Sequence, residues 1–143
     1  MATRYGHGGD ILIERTKNYR RIKGLAPKWD LVVSDKVYYL VEMEDGEDIG
    51  AICFHPCDEE GLLMHVALGT ECRGARAGEA YNNAFEWMFA NTDCKKLLGR
   101  IPQTYQHARV MARSIGGKFT GIDCDGLRCY SVIKQDFEQQ RAI

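Results

Sequence analysis

No run of this sequence approaches the roughly 18 consecutive apolar residues that a membrane span requires. The opening stretch Met1-Ala2-Thr3-Arg4-Tyr5-Gly6-His7 also lacks the apolar core of a secretory signal. Both absences predict a cytoplasmic protein. An excess of charge of one sign is missing too: 19 Lys and Arg against 20 Asp and Glu leave a net charge of −1. Without a global basic field, neither nucleic acid nor an anionic membrane is an expected partner. Internal repeats and low-complexity linkers are likewise missing. Cys53, Cys57, Cys72, Cys94, Cys124 and Cys129 are scattered through apolar strands and a helix end, which suits reduced, buried thiols better than a secreted disulfide framework. What is present is 143 residues, 45% hydrophobic and 27% charged, enough for one globular domain over residues 1–143.

Periodicity supplies the elements. Asp10 is placed to cap a helix with Leu12, Tyr19 and Ile22 on one face and Gly24 as its stop. Its remaining positions, Arg15, Lys17, Arg20, Arg21 and Lys23, read as a solvated basic face. Pro27 suits a first helical position, so residues 26–32 predict a short helix or a turn. Three antiparallel strands follow, over residues 37–43, 49–54 and 62–68, linked by Asp45-Gly46 and by Cys57-Asp58-Glu59-Glu60-Gly61. Ala80, Tyr81, Ala84, Phe85 and Met88 draw an apolar stripe along a helix over residues 78–91. A strand over 96–101 stops at Pro102, and Ala108, Met111, Ala112 and Ile115 mark a further helix ended by Gly116-Gly117. A final hairpin, 118–122 and 128–133, closes on Asp123-Cys124-Asp125-Gly126, with 135–143 a frayed tail or short helix. This is an α+β order with one βαβ-like segment.

The stretch from Leu63 to Gly78 reads as strand, turn and helix start. A helix N-terminus offers unpaired N–H groups and the positive dipole end, so Gly and Arg gathered there suit a ligand bearing a pyrophosphate.

The element order together with Arg73-Gly74-Ala75-Arg76-Ala77-Gly78 resembles the GNAT superfamily of N-acetyltransferases, whose signature between fourth strand and third helix is Gln/Arg-x-x-Gly-x-Gly/Ala. The resemblance covers nearly the whole chain from Asp10. Arg73 and Gly78 match, whereas Arg76 replaces the central glycine, adding bulk but also a group able to pair with phosphate oxygens. The family's next helix opens on Asn and carries Ala, then Tyr four residues later, then Gly-Phe; here those places hold Tyr105, Ala108, Ala112 and Gly116-Gly117. Ala112 thus stands where the family keeps a proton-donating Tyr, and Tyr105 is the nearest substitute in sequence. Gly99-Arg100-Ile101-Pro102 and the run from Ile115 to Gly121 are similar to acetyltransferase-like proteins of tailed bacteriophages.

The resemblance implies a GNAT-like, acyl-CoA N-acyltransferase fold: a central mixed, mostly antiparallel sheet flanked by helices. It also implies acetyl-CoA as co-substrate and direct acetyl transfer to a primary amine of an unidentified acceptor. Backbone groups of the strand at Val66 and Leu68 would pair with the pantetheine arm, and Arg73, Gly74, Ala75, Arg76, Ala77 and Gly78 would hold the pyrophosphate. The alternative is a noncatalytic bacteriophage protein of this fold, acting in virion assembly or DNA delivery with a phage protein as partner, in the host cytoplasm or the virion. A homodimer is compatible with either reading.

Acetyl transfer to an amine needs a base, and His65, with an ordinary imidazole pKa near ~6.5, suits it, the alternative being a structural strand histidine. Glu42 and Glu44 share one strand face, away from Val41 and Met43, and would serve as base or hold a cationic substrate unless they are a solvent-facing pair. Tyr105 is the candidate acid. Cys53, His55 and Cys57 alternate along a strand but lack a clear fourth ligand, so no metal is expected. Cys72 before Arg73 reads as a turn residue rather than a nucleophile. Phe85, Trp87 and Phe89 read as helix packing.

Overall fold

The computed structural model describes residues 10–57, 60–69 and 75–141. Their order is β1 (Ile11–Arg15), α1 (Tyr19–Leu25), β2 (Tyr38–Glu44), β3 (Glu47–Pro56), β4 (Leu62–Leu68), α2 (Ala75–Asn91), β5 (Lys96–Pro102), α3 (Gln106–Ser114), β6 (Lys118–Ile122), β7 (Leu127–Ile133) and α4 (Lys134–Arg141). The strands form one sheet in the order β1-β2-β3-β4-β5-β7-β6, antiparallel throughout except between β4 and β5. The predicted βαβ unit is therefore β4-α2-β5.

The amino-terminal expectation needs correction. Residues 11–15 are a strand rather than the start of a helix capped by Asp10, because Ile11 and Ile13 alternate inward while Leu12 stays 63% exposed. The strand is tied to α2: the Ile11 N–H donates to Glu79 Oε2 at 3.2 Å and Asn83 Nδ2 donates to the Ile11 carbonyl at 2.7 Å. Helix α1 begins only at Tyr19, where Asn18 Oδ1 accepts the Arg21 N–H at 3.1 Å. Arg21 then clamps α1 to the sheet edge through Asp48 at 2.6 Å and Glu14 at 3.0 Å. Residues 26–37 form a turn and an irregular segment, pinned where the Val32 N–H donates to Tyr39 Oη at 2.8 Å.

The β2–β3 hairpin closes as expected on Asp45 (φ 52°) and Gly46 (φ 82°), two left-handed residues whose twist matches the flanking strands. A bulge between Glu42 and Met43 then turns Met43 and Asp48 toward α1, onto Arg21.

Both faces of the sheet are covered. On one, Leu40, Ile52, Phe54, Leu97 and Val132 pack under Ala84, Phe85, Met88 and Phe89 of α2, with Phe137 of α4 closing the layer. On the other, Ile22 of α1 packs on Tyr39, Val41, Ala51 and Cys53. The carboxyl-terminal residues 134–141 are thus the closing helix of the two alternatives. The cysteines depart from expectation: of those described, none is in a disulfide, only Cys53 is buried, Cys57, Cys94 and Cys129 are half-buried and Cys124 is exposed. Cys124 sits on the hairpin turn, where no strand covers it.

Candidate functional site

Strands β4 and β5 pair only at Leu62 with Leu97 and Leu63 with Leu98, and then diverge. Beyond Leu63 the β5-facing edge of β4 has no strand partner among the described residues. The gap opens into a cleft of about 360 Å³ walled by Met64, Val66, Tyr81, Phe85, Ile101 and Tyr130, with α3 as its roof. The apolar stripe of α3 faces this cleft through Ala108, Met111, Ala112 and Ile115, and no residue of the helix is fully buried. Gly117 makes the close return to β6 possible: its N–H donates to the Ala112 carbonyl at 2.8 Å, and a Cβ there would stand 2.7 Å from that oxygen. Tyr105, at the amino end of α3, is 62% exposed and lines the mouth of the cleft. Tyr130, not picked out from the sequence, lies on β7 opposite Gly99, and its hydroxyl oxygen accepts from Arg128 Nε at 3.2 Å.

His65 sits where this cleft meets a second cavity of about 480 Å³ on the α1 side, and it lines both. The register explains the partner that sequence reasoning left unpaired. Cys53 stands opposite His65 and Leu63 opposite His55, so the two imidazoles are diagonal neighbours on one face. Their Nε2 atoms are 2.7 Å apart and their rings lie within 6° of parallel.

The protons of this pair follow from its third contact. His55 Nδ1 lies 2.8 Å from the Pro56 carbonyl, which only accepts, so Nδ1 carries hydrogen. In neutral His55 the Nε2 is then the acceptor, His65 Nε2–H is the donor, and the lone pair of His65 lies on Nδ1. Burial holds His65 below the ordinary imidazole pKa, and the positive charge available to His55 and carried by Arg100 acts in the same direction. His65 is therefore a neutral base at physiological pH. The Cys53–His55–Cys57 alternation forms no cluster of metal-ligand type among the described residues.

The two glutamates share a face, as the alternation predicts, but neither is free at the surface. Glu42 is fully buried, flanked in the sheet by Ile13 and Gly50, with neither carboxylate oxygen hydrogen-bonded among the described residues. Burial pushes its pKa up to about 8. It lies on the α2 side of the sheet, opposite the face that carries His65. Glu44 pairs with Arg76, whose guanidinium also meets Glu79 at 3.4 Å. Of the turn resembling a pyrophosphate site, Cys72, Arg73 and Gly74 lie outside the described residues, as does the side chain of Ala75. Ala77 is buried at the start of α2, and a Cβ at Gly78 would meet nothing within 4 Å. Val66 lines the cleft, and Leu68 packs with Ile11, Ile49 and Ala80.

A mostly antiparallel sheet splayed at one parallel pair, with α2 leaving the end of the splayed strand, defines the acyl-CoA N-acyltransferase fold, and this chain has it. Among solved structures it is similar to a mutant form of the spermidine/spermine N-acetyltransferase SpeG from Vibrio cholerae, with TM-score 0.78 and 9% identity over 92% of this chain and 98% of that one. A chimera of the Vibrio cholerae SpeG with the hSSAT enzyme matches with TM-score 0.71 and 10% identity over 91% and 99% of the two chains. The aminoglycoside acetyltransferase AAC(6')-Ib, in complex with coenzyme A, matches with TM-score 0.64 and 18% identity over 75% and 72%. No protein-family model matches the sequence, and no curated protein matches it significantly.

Proposed function

We propose that this protein is an acetyl-CoA-dependent N-acetyltransferase acting on a primary amine, with His65 as general base. The observation that carries the reading is the place of His65: a neutral imidazole on the boundary between the β4–β5 cleft and a second, separately lined cavity. The apolar walls of the cleft and the unpartnered edge of β4 fit a pantetheine arm held by backbone groups near Val66 and Leu68. Ala75, Ala77 and Gly78 at the start of α2, with Arg73 and Gly74 before them in the sequence, would hold the pyrophosphate. Arg76 is already engaged by Glu44 and Glu79 and would add little phosphate charge. When bound, the coenzyme supplies the acetyl thioester.

The acceptor enters as an ammonium ion and must lose a proton to become nucleophilic. His65 Nδ1 takes that proton while the Nε2 hydrogen passes to His55 Nε2, so the positive charge comes to rest on His55. There it is stabilised by the Nδ1–H contact to the Pro56 carbonyl at 2.8 Å. The neutral amine attacks the thioester carbonyl as the C–S bond breaks. Tyr105 donates its hydroxyl proton to the departing thiolate, and the extra proton on the new amide nitrogen passes through solvent to restore the hydroxyl, which is 62% exposed.

The test combines coenzyme binding with a thiol-release assay. At acetyl-CoA near 100 times its Kd the protein should gain about 2.7 kcal/mol of stability, and Arg73→Glu should abolish the gain. His65→Ala should keep the gain and lose on the order of 10²-fold or more in kcat. An unchanged melting temperature at saturating acetyl-CoA would sink the proposal. The engagement of Arg76 and the presence of Ala112 would then favour the noncatalytic bacteriophage role.

A further inference from the structure

The α1-side cavity has walls of its own, and they differ in kind from those of a site for polycations. Trp29, Val32, Val37, Tyr39, Cys53 and Pro56 line it, with the two histidines at one end. The aromatic wall is rigid. Tyr39 is wedged between Trp29, at 6.5 Å and 34°, and Tyr19, edge-on at 5.9 Å, and its hydroxyl holds the Val32 amide. Charge around it, among the described residues, is sparse and leans positive. Among the described residues the cavity is lined by one carboxylate, Asp30, and one ammonium, Lys28. Lys23 Nζ donates to the Trp29 carbonyl at 2.5 Å, and Arg100 acts on His65 from the other side. Outside the lining, Asp35 pairs with Lys17 at 2.7 Å and Asp123 with Arg100 at 3.6 Å.

We infer that the acceptor is a monoamine with an apolar, aromatic body rather than a polyamine or a polycationic sugar. The inference takes the acetyltransferase reading for granted in calling this ligand an acceptor, although binding in the cavity is independent of it. A single ammonium meets His65 and is deprotonated there, while the ring lies against Trp29 and Tyr39, removing apolar surface from water. A second ammonium would lose its hydration against that wall, beside Lys23 and Lys28.

The experiment compares 2-phenylethylamine with spermidine, both as ligands and as acceptors. Trp29 is one of two tryptophans, so a Trp87→Phe background isolates its fluorescence. The expected result is a saturable Trp29 signal with 2-phenylethylamine and a kcat/KM roughly 10-fold or more above that of spermidine. Val32→Glu, at a position 53% exposed, should narrow that ratio by adding a carboxylate to the wall. Spermidine as the equal or better acceptor, or no Trp29 signal with 2-phenylethylamine, overturns the inference. Preferential turnover of spermidine would leave the acetyltransferase reading standing. A saturable Trp29 signal without any acetylation supports the cavity's preference and sinks the acetyltransferase reading instead.

Discussion

Replacing Glu42 should make this protein more stable, and by an amount that depends on pH. The carboxyl is fully buried with both oxygens unpartnered among the described residues, and its pKa rises from 4.5 in the unfolded chain to about 8 in the fold. Below pH 4.5 both states hold the proton and nothing is lost. Between the two values the unfolded chain ionises and the folded one does not, so stability falls as pH rises, by about 1.4 kcal/mol per pH unit. The loss is complete above about pH 8 and is on the order of 5 kcal/mol in all. Glu42→Gln keeps the shape and removes the titration. Its stability relative to wild type should therefore be nearly level at pH 5 and climb toward that full difference by pH 8. Glu42→Met, which also removes the unpartnered polar atoms, should stabilise by on the order of 3 kcal/mol or more at pH 7. Urea denaturation followed by circular dichroism at pH 5, 6, 7 and 8 measures both, and subtracting wild type cancels the opposite contribution of His65. A Glu42→Gln difference that stays flat from pH 5 to 8 would refute the reasoning.

Two further outcomes follow from the geometry. Because the neutral form of His65 is the working one and burial lowers its pKa, the acid limb of kcat/KM should fall below the ordinary imidazole value. His55→Leu should move that limb and reduce kcat by about 10-fold while leaving stabilisation by acetyl-CoA intact, as steady-state rates across pH would show. Gly61→Ala should destabilise by roughly 2–4 kcal/mol in urea unfolding, since its φ is +116° and a Cβ would lie 2.7 Å from the Lys96 carbonyl oxygen.

Local pattern carried the reading of strands and helices wherever one face alone decides. The span of β4 and the glycine-bounded α3 follow directly from alternation and helical spacing. Strand β1 escaped because five residues with only Ile11 and Ile13 inward offer too short a pattern to outweigh a helical reading through Tyr19 and Ile22. Alternation placed Glu42 on its true face, but its burial depends on α2, which is distant in sequence and covers that face. The same holds at the site. His65, Tyr105 and Val66 stand out as residue types, whereas the partnership of His65 with His55 needs the register that sets Cys53 opposite His65. Trp29 and Tyr39 become a wall only once the segment 26–37 folds back over the sheet. Arg76 acquires its partner Glu44 in the same way, through docking of α2 against the β2 hairpin.

The splayed strands have a mechanical meaning. Hydrogen bonding divides the sheet into two rafts, β1 to β4 and β5 with β7 and β6, joined by a seam of two residue pairs. The wider coupling between the rafts is the apolar layer under α2, where Leu40, Ile52 and Phe54 from one meet Leu97 and Val132 from the other. The gap between the rafts is thus set mainly by side chains outside the cleft, Val132 alone of these five also lining it. Trimming Leu97 or Met88, neither of which lines the cleft, should relax the angle of the seam as well as the fold, so that changes in coenzyme affinity track changes in core volume.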